Sequence, residues 1–166
     1  MEGSDYLLTC AEVGVALAGF SALVVAIRQR SDEELSLVYR RFVAALIERG
    51  LMATFFSLLP VVLSGLGVGT GTLWLGASLA LAFYIGSMAW RSSAARSHPE
   101  LRSIVPPAAF ATLMAVGVAV LAVQVAHALA LGITQSVWWD AVGVTWVRAS
   151  GGYMFLFLVR DWTRRA

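Results

Sequence analysis

The sequence predicts an all-α integral membrane bundle of five transmembrane helices, with four as the alternative count. The N-terminus is expected outside and the C-terminus in the cytoplasm. Three observations predict this. Of 166 residues, 59% are apolar and only 13% are charged, against about 25% charged in a soluble domain. Mean hydropathy is +0.78. The twelve basic residues, all arginine, fall in separated zones between apolar stretches. The length suits one domain, residues 1–166. This composition excludes a disordered chain and an ordinary soluble enzyme. A net charge of +2 is too weak a basic bias for a nucleic-acid partner.

A spanning helix needs about 20 largely apolar residues. The first candidate runs from Tyr6 to Ile27. The second ends near Gly65 and begins between Phe42 and Leu51. The third is Thr72 to Trp90, and the fourth is Ala108 to Leu131. The fifth, Ala141 to Val159, is weaker because it holds Arg148 and the Gly151-Gly152 pair. Charge placement favours five. Arginines flank the spans at 28–41, 91–102 and 160–165, and the three intervening zones have none. Five spans put all arginine zones on one side, which the positive-inside rule makes cytoplasmic.

Several local features refine the spans. Ser31 followed by Glu34 is a capping-box pattern. A helix from there to Ser64 would be about 50 Å long, more than the ~30 Å hydrocarbon core. Pro60 lacks a backbone donor and is expected to kink the second span. Gly65, Gly67, Gly69 and Gly71 read as a flexible hairpin turn, because the lysine of a phosphate-binding loop is missing.

Small residues let membrane helices approach closely. Gly14, Ala18, Ala22 and Ala26 recur every four residues in span one. Span four carries Ala108, Thr112, Ala115, Ala119, Ala122 and Ala126 at spacings of four and three. These stripes predict packing within the bundle or self-association along one seam.

Polar residues inside spans are costly and mark candidate sites. Glu12, Gln124, His127 and Arg148 are expected at similar depth in the outer leaflet. A Glu12–Arg148 pair would offset the burial cost, with His127 or Gln124 completing its hydrogen bonds. The same cluster could line an aqueous vestibule or proton path. A second cluster, Arg28, Arg40, Arg41, Glu48, Arg49 and Arg91, is expected at the cytoplasmic end. Snorkelling arginines on anionic lipid explain most of it, and a docking surface for a protein partner is the alternative. Glu48 has no role in orientation.

No catalytic constellation is visible, so an enzyme is not expected. His98 and His127 are the two histidines and Cys10 is the lone cysteine. No metal set and no cofactor are expected.

The segment Ala11-Glu12-Val13-Gly14-Val15-Ala16-Leu17-Ala18-Gly19-Phe20-Ser21 resembles the N-terminus of a family of small uncharacterised bacterial integral membrane proteins. Phe55-Phe56-Ser57-Leu58-Leu59-Pro60 and the closing Phe157-Leu158-Val159-Arg160 fit the same family. The resemblance implies a multi-pass protein of the bacterial inner membrane and brings no catalytic motif. The leading functional expectation is a self-associating inner-membrane protein whose spans one, four or five could line a pore or ion path. The rival is a non-conducting anchor or accessory subunit that engages a partner through its arginine-rich cytoplasmic face.

Overall fold

The computed structural model describes residues 3–29, 37–97 and 105–165. They form five helices: α1 Ser4–Gln29, α2 Leu37–Gly65, α3 Thr70–Ala95, α4 Pro107–Ala128 and α5 Val137–Arg165. No strand occurs among the described residues. Segments of α1 to α4 are long and apolar enough to cross a membrane: Ser4–Leu23, Arg40–Gly65, Thr70–Ala95 and Pro107–Ala128. Among the described residues the fifth helix, which carries Asp140 and Arg148, is not one of these four. The Ser31 capping box lies outside the described residues.

The helices stop where the backbone permits it. At the end of α2, Val68 N–H donates to Leu63 O and Gly67 N–H to Ser64 O. Gly67 takes φ +77°, which completes a Schellman turn. The end of α4 uses the same bonds, Leu131 N–H to Ala126 O and Ala130 N–H to His127 O. There Ala130 holds the left-handed position at φ +51°, although its Cβ disfavours it. Pro107 opens α4, where a missing N–H costs nothing. Pro60 is buried within α2, which continues to Gly65.

Cross-helix contacts fix the directions. Thr54 Oγ1 on α2 donates to Ala11 O on α1 at 3.1 Å, and Gly50, earlier in α2, lies against Ala18, later in α1, so the pair is antiparallel. Glu48 meets Arg91 between α2 and α3. Ser78 meets His127 between α3 and α4. Gln124 reaches Trp139 at the start of α5. The first and fifth helices run parallel, with Gly3 against Val137 and Phe20 against Phe155. The N-terminus, the α2–α3 turn and the α4–α5 turn therefore share one end. The arginine-bearing helix ends share the other.

Large apolar side chains face outward, Phe83 at 80% and Trp90 at 77% exposure. Ser21, Ser57 and Ser150 are buried and donate to carbonyls of their own helices. Apolar groups outside and these hydrogen-bonded serines inside suit a lipid environment. The centre is filled by Cys10, Ala53, Phe56, Leu81, Ile85, Val120, Val144 and Val147.

The tightest crossing joins α1 to α2. A Cβ on Gly50 would lie 2.7 Å from Gly14 O and 2.9 Å from Ala18 N. A Cβ on Gly14 would lie 2.8 Å from Gly50 O. Gly14 and Ala18 thus act as the small-residue seam that the sequence suggests, within one chain. Ala22 is exposed, and the Ala26 side chain lies outside the described residues. On α4, Ala115, Ala119 and Ala122 are exposed and Ala126 is half-buried. This helix turns Gly117, Val120, Gln124 and His127 inward instead. Enclosing two polar side chains sets its rotation and leaves the alanine stripe facing out.

Candidate functional site

The expected outer cluster forms only in part. His127 and Gln124 are fully buried. His127 Nε2 accepts the Ser136 N–H at 3.0 Å, and Nδ1 lies 2.9 Å from Ser78 Oγ. An accepting Nε2 carries no proton, so Nδ1 carries it and donates to Ser78. Gln124 Nε2 donates to Trp139 O at 2.6 Å. These bonds tie the α4–α5 turn to α3. Asp140, 1% exposed, joins this end, and its Oδ2 has no hydrogen-bond partner.

Glu12 and Arg148 are not part of that knot, and among the described residues no ion pair joins them. Glu12 is exposed. The cause is the Gly14–Gly50 crossing. At about 100° per residue, a residue two positions before Gly14 points about 200° away from it. Arg148 is half-buried, and its Nε is enclosed without a hydrogen-bond partner.

The opposite end holds the candidate site. A cavity of about 500 Å3 lies between α2, α3, α4 and α5, within the range of small-molecule sites. Arg41, Glu48, Arg49, Arg91 and Arg96 are its charged lining residues. Ile85, Met88, Leu113, Met114 and Trp146 supply apolar walls. From Arg96 to Tyr84 along α3, the lining spans about 18 Å. The cavity is therefore charged at one end and apolar along its length.

Arg49 decides its electrostatics. Snorkelling would leave its guanidinium in water, yet Arg49 is only 7% exposed. Its Nη1 donates to Ser150 O at 3.1 Å and to Met154 Sδ. Among the described residues no carboxylate lies within ion-pair distance of it. The nearby Glu48 carboxylate is committed elsewhere. It accepts from Arg91 Nη1 at 3.0 Å and Nη2 at 2.5 Å, a two-bond fork of the kind carboxylates form with arginine. That fork gives Glu48 the role that orientation signals could not, as a link from α2 to α3. Arg96 stacks on the Phe110 ring at 4.3 Å and joins the end of α3 to the start of α4. Arg40 and Arg41 are exposed, and the Arg28 side chain lies outside the described residues.

Comparison with family models, curated proteins and solved structures gave no match. The site is therefore read from its own chemistry.

Sequence spacing held a signal for the burial of Arg49. Phe42, Leu46, Arg49, Ala53 and Phe56 recur at four and three residues, the period of one helix face. All five are buried. Trp146, Ser150 and Met154 could not be assigned to the site from sequence, since only the fold brings α5 against α2.

Proposed function

We propose that this chain is a five-span protein of the bacterial inner membrane that binds an anion-headed amphiphile from the cytoplasmic leaflet. The observation that carries the reading is the buried Arg49, which lines a cavity charged at one end and apolar along its length and has no carboxylate within ion-pair distance among the described residues. A buried cation without a counter-charge is costly, and an incoming anion removes that cost. The apolar walls then take the tail. The helix ends that gather at the arginine pole support a cytoplasmic location for it.

The role is binding rather than chemistry. A pore through the single bundle has less support, because Leu81, Val120, Val144 and Val147 close the interior beside the cavity. A conducting path would have to run between copies.

Dodecyl phosphate is a simple probe. Ligand at about 100 times its Kd stabilises a protein by about 2.7 kcal/mol. For a chain of this size that is a rise in Tm of about 5–10 °C. Inorganic phosphate and dodecyltrimethylammonium at equal concentration should give less than about 2 °C, a shift below about 1 kcal/mol. Equal shifts with the anionic and cationic amphiphiles, or none with dodecyl phosphate, would contradict the proposal.

A further inference from the structure

Two neutral donors share the lining of the Arg49 cavity, Tyr84 on α3 and Trp146 on α5. Tyr84 is 7% exposed and Trp146 is half-buried. The Tyr84 hydroxyl and Trp146 Nε1 are enclosed and have no hydrogen-bond partner among the described residues. Glu48 acts on Tyr84 electrostatically, yet both its oxygens are taken by Arg91. A buried donor left unbonded carries its full desolvation cost. The packing sets the two donors at one level. Leu81 Cδ2 lies 2.6 Å from where a Cβ on Gly143 would stand, and Ser150 Oγ lies 4.0 Å from Met88 Sδ. These contacts give α3 and α5 one parallel register, and Tyr84 and Trp146 hold matching positions between them. Ser150, whose carbonyl holds Arg49, is one turn further along α5, about 6 Å. Three helices thus each bring a donor to one stretch of the cavity. Beside Trp146 Nε1, α4 presents Gly117, which lines the cavity without a side chain.

We infer that Tyr84 and Trp146 are head-group donors of this site, so that its ligand carries an oxyanion head held by the Arg49 charge and two neutral hydrogen bonds. The inference rests on the reading of the cavity as an anion site and adds what the head must offer. The enclosed acceptors without partners, Gln124 Oε1 and Asp140 Oδ2, belong to residues outside the lining. The enclosed unbonded polar atoms of the lining are donors, and an indole N–H can only donate. A head that brings acceptor oxygens satisfies them, and hydrogen bonds to an ionised acceptor are the strong ones. The phenol turns its O–H toward a ligand oxygen by rotation about the C–O bond. An anionic head with weak acceptors leaves both donors unbonded. Charge alone therefore does not select the ligand.

The test is titration calorimetry of the full chain in a maltoside detergent with two anionic probes of equal chain length. One is dodecyl phosphate. The other is dodecyltrifluoroborate, whose fluorines are weak acceptors. Tyr84→Phe and Trp146→Phe each weaken dodecyl phosphate binding about tenfold, the lower end for a hydrogen bond to a charged group. Each changes dodecyltrifluoroborate binding by less than about twofold, because no hydrogen bond of that strength is lost. Arg49→Met weakens both probes. Tyr84→Phe removes only an unbonded hydroxyl, so the empty variant melts no lower than wild type. Wild type that binds neither probe would overturn the anion-site reading itself. If wild type binds dodecyl phosphate through Arg49 and either phenylalanine variant binds it within about twofold of wild type, the anion site stands and this inference falls. Equal weakening toward both probes would also overturn it, since a repacked wall acts on both alike. If Trp146→Phe does not fold, Tyr84→Phe with the two probes decides the outcome.

Discussion

Replacing Gly50 with valine should lower stability by about 3 kcal/mol, the upper part of the range for overpacked sites. The Tm should fall by about 6–12 °C. The obstacle is backbone: the Gly14 carbonyl and the Ala18 N–H already occupy the space a Cβ would need. Main-chain atoms move only if α1 and α2 separate, which also breaks the Thr54–Ala11 hydrogen bond. The loss runs against local preference, since removing a helical glycine gains up to about 1 kcal/mol in an unobstructed helix. Gly76 supplies the control. It lies in α3, where an added Cβ would meet nothing within 4 Å, so Gly76→Ala should be neutral or slightly stabilising. Thermal melts of Gly50→Ala, Gly50→Val and Gly76→Ala in one detergent check the order. Equal effects at positions 50 and 76 would dismiss the tight crossing.

Arg49→Met should separate stability from binding. Methionine has a similar length, so the apolar contacts of the side chain persist. The uncompensated buried charge is removed, and with it a desolvation penalty of several kcal/mol per ion. The empty variant should therefore melt no lower than wild type. Its response to dodecyl phosphate should fall to that of dodecyltrimethylammonium. Arg91→Met should act differently. It frees the Glu48 carboxylate beside the cavity, which repels an anion, and it loosens α2 from α3. A variant at position 49 that melts lower yet still binds dodecyl phosphate would make Arg49 a structural clasp to Ser150 and Met154.

The helices were legible in the sequence because a span is a property of length and apolarity. Even α5, with Arg148 inside it, could be expected from the alternation of arginine zones. Helix rotation was harder to read. A membrane helix is apolar all round, so periodicity says little about which face turns inward. The packing shows what sets rotation here. Glycine governs α1, where Gly14 must face Gly50 and Glu12 is carried outward. Polar enclosure governs α4, where Gln124 and His127 turn in and the alanines turn out. The expected Glu12–Arg148 contact failed because position along each helix was readable and rotation was not. Arg49 shows the reverse. Its place on the Phe42–Leu46–Ala53–Phe56 face was present in the spacing, although arginines near a span end ordinarily reach for water.

The most direct test of the central claim is native mass spectrometry of protein extracted mildly from its membrane. Wild-type protein should leave the micelle holding one anionic lipid in preference to zwitterionic lipid, and Arg49→Met should leave without it. Equal retention of both lipid classes by wild type, or retention of the anionic lipid by Arg49→Met, would contradict an anion-binding cavity built on Arg49.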